Sequence, residues 1–99
     1  LYDTYLPVVK LLGAVPKLVR LSPPKWELPR AELAAAFGPK TKAILLNTPM
    51  NPASKVFTAA ELAFIAQLLQ KHDCYAICDE VYEHLTFDGW KHVPLMALP

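Results

Sequence analysis

The period of the apolar positions changes several times along this chain, and each change marks an element. From Tyr2 to Leu12 apolar side chains recur at Leu6, Val9 and Leu12 behind Tyr2 and Tyr5, the three-to-four spacing of an amphipathic helix. Asp3 falls in the expected first turn, where negative charge suits the helix dipole. Pro7 is tolerated there because a first turn does not use the missing N–H, and Gly13 is the C-cap candidate. Lys17 to Leu21 alternates as a strand does, before Ser22, Pro23 and Pro24 break the chain. Trp26 to Leu28 reads as short and extended. Pro29 then opens a helix from Arg30 to Phe37, stopped by Gly38 and Pro39.

The second half is more regular. Lys42 to Leu46 is a continuous apolar run, the pattern of a strand covered on both faces. A loop of Asn47, Thr48, Pro49, Met50, Asn51 and Pro52 follows. Thr58 with Glu61 three residues later makes a capping box for a helix running to about Lys71, with Leu62, Ile65, Ala66, Leu68 and Leu69 as its apolar positions. A second buried strand, Cys74 to Cys78, ends in Asp79 and Glu80. Strand, helix and strand with short connections predict a right-handed βαβ unit with parallel strands. The expected class is α/β with a parallel sheet covered on both faces, and no internal repeat is visible.

Composition changes this picture in one respect. The chain has 99 residues, 54% apolar and 19% charged, with a net charge of +1. Such a chain is too apolar to be disordered, and no run reaches the roughly 18 apolar residues of a membrane span. It is also more apolar than a free-standing domain of this size, and it starts at Leu1. A piece of a larger protein, with its surface buried against the remainder, is the expectation. The ten basic residues are scattered, so no footprint for nucleic acid exists. Cys74 and Cys78 would share a strand face about 13 Å apart, too far to bridge, and no further ligands stand near them. Buried reduced thiols of a cytoplasmic protein are expected, and the N-terminus shows no targeting signal.

In open α/β sheets ligands bind beyond the carboxyl ends of the strands. The first strand delivers Asn47 and, through its proline-stiffened loop, Asn51; the second delivers Asp79, with Tyr82 three residues on. If the strands are neighbours, an amide, a carboxylate and a phenol converge. Such a set suits a planar ring with a basic nitrogen and a phenolic oxygen, and pyridoxal phosphate is a ligand of that kind. Each residue alone has a plainer explanation: Asp and Asn cap turns, and the tyrosines pack. The weight lies in their combination. His72, His84 and His92 are too dispersed to form a metal set.

The segment NTPMNPASKVF (Asn47–Phe57), the following Glu61–Leu62, and CDEVYEHLTFDGWKHVPLMALP (Cys78–Pro99) resemble the central part of the fold-type I aminotransferases. The resemblance is to the class I/II branch that includes kynurenine, glutamine and methionine aminotransferases. The opening LYDTYLPVVKLLGAVPKLVRL is similar too, so essentially the whole chain is covered. The resemblance implies a three-layer αβα fragment of a pyridoxal-phosphate-binding large domain over residues 1–99. Tyr2 would stack on the cofactor ring, Asp79 would pair with its nitrogen, and Tyr82 would contact its 3-oxygen. Asn51 would contact that oxygen and help receive the substrate carboxylate. The implied activity is amino-group transfer from an amino acid to a 2-oxo acid in a homodimer, with no nucleic-acid or membrane partner. Ser54 stands where the family has glycine, and the Schiff-base lysine of the family lies beyond this chain. A carbon–sulfur β-lyase of the same fold, or an inert fragment, are the competing readings.

Overall fold

In the computed structural model, residues 3–98 are described. The elements run α1 (Tyr5–Leu11), α2 (Arg30–Ala36), β1 (Ala43–Asn47), α3 (Ala59–His72) and β2 (Tyr75–Asp79), closing with a 3-10 turn at Leu95–Ala97. β1 and β2 pair in parallel with α3 as the crossover between them, which is the expected unit. Both strands end one residue later than the apolar runs suggest. The ladder therefore includes Asn47↔Asp79 as its last pair, so the two polar residues leave the sheet side by side.

The N-terminus of α3 is determined locally. The Thr58 side chain accepts from the Glu61 amide at 3.2 Å, and the Glu61 carboxylate accepts from the Thr58 amide at 2.8 Å, completing the capping box. Its apolar stripe then meets the sheet. Leu62 and Ile65 are fully buried and, with Leu68, Leu33, Leu46, Phe57 and Leu95, form the core. Ile44 and Cys78 pack against that cluster from the same sheet face as Leu46, as the two-residue period of a strand requires.

Several sequence expectations are corrected. Lys17–Leu21 forms no strand. Its alternation is real, since Val19 and Leu21 pack on the core, but among the described residues no neighbouring strand offers it a ladder. Trp26 is not extended: it adopts φ +51 and closes a turn with its amide on the Ser22 carbonyl at 2.9 Å. Asp3 precedes the N-cap Thr4 and so lies outside the first turn of α1. Gly13 follows the C-cap Leu12 at φ +74, a left-handed conformation that favours glycine. Among the described residues the sheet is covered on one face only. On the face away from α3, Tyr75 is 80% and Ile77 58% exposed. Cys74 and Cys78 are free but only half-buried. The apolar excess in the composition thus lies on the surface, at Leu11, Leu12, Val15, Tyr75 and Met96 among others. Among the described residues no helix is long and apolar enough to cross a membrane.

Candidate functional site

The carboxyl ends of β1 and β2 are joined by hydrogen bonds that local sequence does not supply. Asn47 Nδ2 donates to the Asp79 carbonyl at 3.2 Å, and the Thr48 amide donates to the same oxygen at 3.0 Å. Asn47 Oδ1 accepts from the Asn51 amide at 3.3 Å. A buried side chain thereby fixes both the end of β2 and the start of the proline loop, for Asn47 is only 5% exposed. Thr48, also buried, accepts from the Phe57 amide through its hydroxyl at 3.3 Å. The loop is closed further by the Ser54 amide on the Met50 carbonyl (2.8 Å) and the Met50 amide on the Lys55 carbonyl (2.9 Å). Ser54 sits at φ +53, where glycine is the comfortable residue.

From this frame the Asn51 amide and the Tyr82 phenol meet. Asn51 Nδ2 donates to the Tyr82 hydroxyl at 3.3 Å, across 31 residues of chain. The Asp79 carboxylate turns the backbone after β2 by accepting the Val81 amide at 3.2 Å on Oδ1. Its other oxygen accepts from the hydroxyl of Tyr5 at the start of α1. Asn47, Asn51, Tyr82 and the Asp79 backbone carbonyl are thus linked by hydrogen bonds, the Asp79 carboxylate is turned to Tyr5 and Val81, and Tyr2 lies outside the described residues. Tyr5 and Thr48 are members that pattern reading passes over. Spacing made Tyr5 a core residue, and nothing local links it to an aspartate 74 positions away.

Behind the loop lies a buried ion pair. Lys55 Nζ is 2.8 Å from both oxygens of Glu61, and the two side chains are 10% and 11% exposed. Burial pushes the Glu61 carboxyl up, but the Lys55 ammonium and the amides of Thr58 and Leu28 outweigh it and hold the group below the usual carboxylate range. Glu61 therefore connects the α3 cap, the Asn51 loop and the segment at Leu28. In front of Asn51 and Tyr82 an open cleft of about 640 Å³ is walled by Met50, Leu85, Phe87 and Trp90.

A parallel βαβ unit with amide, carboxylate and phenol side chains at and just after its strand ends is an α/β arrangement, and in open α/β sheets the strand ends are where ligands are reached. The family model for aminotransferase class I and II matches residues 1–98, and the chain belongs to that family. It is 44% identical to kynurenine–oxoglutarate transaminase 1 of Rattus norvegicus, over 99% of this chain and 26% of the relative. It is 37% identical to the methionine aminotransferase of Escherichia coli, over 99% of this chain and 25% of that protein. Among solved structures, N-succinyldiaminopimelate aminotransferase from Mycobacterium tuberculosis superposes with a TM-score of 0.93 at 42% identity, covering 97% of this chain and 26% of that one. The chain spans about a quarter of the length of the curated relatives it matches.

Proposed function

We propose that this chain is the central segment of the large domain of a pyridoxal-phosphate-dependent aminotransferase, which moves an amino group from an amino acid to a 2-oxo acid. The observation that carries the reading is the direction of the hydrogen bonds around Tyr82. Its hydroxyl accepts from Asn51 Nδ2, so its single proton is free to be donated elsewhere. A phenolic oxygen on a ligand ring is a suitable acceptor. The Asp79 carboxylate accepts only from the neutral Tyr5 hydroxyl and Val81 amide among the described residues, and a carboxylate acceptor is suited to a protonated ring nitrogen. An acceptor at Asp79 and a donor at Tyr82 are the two groups that the nitrogen and the 3-oxygen of that ring would require.

Bound there, pyridoxal phosphate supplies an electron sink for the pair left behind when an amino acid loses its α-proton. The chain's own residues do the rest of what this segment contributes. Asp79 holds the proton on the ring nitrogen. Tyr82 donates to the 3-oxygen, and Asn51 orients Tyr82 and offers its second N–H to a substrate carboxylate. Asn47 positions Asn51 and the end of β2 through the bonds described above. Tyr2 completes the reading as the residue that stacks on the ring plane. Substrates would enter by the cleft before Asn51. The matched relatives include named transaminases, which favours transfer over elimination. A homodimer in the cytoplasm belongs to the same reading.

The test is Asp79→Ala in the full-length protein. The transamination half-reaction should be abolished, because nothing else in the segment would keep the ring nitrogen charged. Undiminished turnover would refute the assignment.

A further inference from the structure

The segment from Glu80 to Lys91 carries Tyr82 and yet is held mostly by itself. Its backbone hydrogen bonds each span three residues: Glu83 amide to Glu80 carbonyl (2.9 Å), Leu85 to Tyr82 (2.8 Å) and Trp90 to Phe87 (3.0 Å). Its large apolar side chains Val81, Leu85, Phe87 and Trp90 are more than half exposed, so packing does not anchor it. At its base, however, two polar side chains turn inward. His92 Nε2 stands 3.3 Å from Glu80 Oε1, with the imidazole 5% and the carboxylate 25% exposed. Both ring nitrogens and Glu80 Oε1 are buried without an aligned hydrogen bond. Buried groups of this kind are disfavoured unless they are paired, and a small rotation of either plane would align this pair. The Cys78 thiol, on the core face of β2, is pushed up by its burial and by the charge of Glu80, which agrees with a carboxylate turned toward that side. Beyond His92 the chain is anchored, since Val93, Leu95 and Leu98 all pack on the core.

We propose that His92 is a positioning residue for the cofactor site: its contact with Glu80 clasps the base of the 80–91 segment and so holds the Tyr82 hydroxyl in register with Asn51 and Asp79. The clasp works because its two ends differ in anchorage. His92 adjoins the fixed core, whereas Glu80 sits between Asp79 and Tyr82, the two residues whose relative placement matters. Without it, the exposed three-residue turns of the segment would open more often and the segment would swing about the end of β2. This inference rests on the reading of Asp79 and Tyr82 as cofactor contacts.

Two measurements on the full-length protein separate the clasp from that reading. The first uses the cofactor-free protein and amide hydrogen exchange. In His92→Leu, exchange at the Glu83 and Leu85 amides should accelerate roughly tenfold or more, while Leu62 and Ile65 in α3 stay protected. His92→Gln, which keeps an N–H near the Nε2 position, should restore most of the protection. Equal acceleration throughout, or none at the segment, overturns the clasp. Should His92→Leu fail to fold, the same comparison is read on Glu80→Ala. The second measurement follows the visible absorption band of bound pyridoxal phosphate against pH. Tyr82→Phe should raise the transition by about one unit, because a donor to the 3-oxygen is lost. His92→Leu should raise it likewise, His92→Gln should not, and the double variant with Tyr82→Phe should add nothing further. A loss of thermal stability in His92→Leu with the band unmoved would make His92 merely structural and overturn the proposal. A band indifferent to Tyr82→Phe itself refutes the site reading, and hydrogen exchange then decides the clasp alone.

Discussion

Replacing Lys55 by methionine would test how the Asn51 loop is held. The substitution keeps most of the apolar stem and removes the ammonium, which lies 2.8 Å from both Glu61 oxygens and 5.1 Å from the centre of the Phe57 ring. Both partners are about nine-tenths buried at the side chain, so the discount for solvent screening is small. Removing one member of a buried ion pair typically costs about 3–5 kcal/mol, because the other charge stays buried. Glu61 would still accept from the amides of Leu28 and Thr58, which places the expected loss at the lower end, about 3 kcal/mol. The sign with pH follows from the depressed Glu61 carboxyl. Its stabilising contribution is fully present above the unfolded value of about 4.3 and is lost as pH falls through the lower folded value. The gap between native protein and Lys55→Met should therefore be full near neutrality and shrink in acid. Urea unfolding of both proteins at about pH 7 and about pH 3 measures it, with Glu61→Gln and the double variant closing a thermodynamic cycle. A loss below about 1 kcal/mol at neutral pH, the range of surface pairs, or one unchanged in acid, would refute the reasoning.

Two further outcomes follow from the same region. Ser54→Gly should stabilise the protein by about 0.5–1 kcal/mol, since relief of the left-handed backbone exceeds the entropy glycine loses on folding; a lowered melting temperature would contradict this. The Cys78 thiol, raised by burial and by the Glu80 charge, should react with a disulfide reagent more slowly than an unhindered thiol near pH 8, and Glu80→Gln should accelerate it. A rate for the unsubstituted protein equal to that of free cysteine would contradict the placement.

What could be read from the chain alone was whatever depends on neighbours in sequence. The Thr58–Glu61 box, the apolar stripe of α3 and the βαβ order of the second half all rest on spacings of a few residues, and all appear in the structure. Asn47–Pro52 and Asp79 with Tyr82 could be picked out as candidate chemistry because each follows an expected strand, and strand ends mark where a ligand can reach a sheet. Tertiary structure decided everything that needs a partner from afar. Lys17–Leu21 has the alternation of a strand, yet alternation supplies no ladder, and none is offered among the described residues. The pairing of Asn47 with Asp79, the approach of Tyr5 to that carboxylate, and the second role of Glu61 as the partner of Lys55 arise only when separate segments meet. So does the contact of His92 with Glu80. A hydrogen-bonding pattern within one turn is encoded where it acts; a contact across 31 or 74 residues depends on the path of the whole chain between.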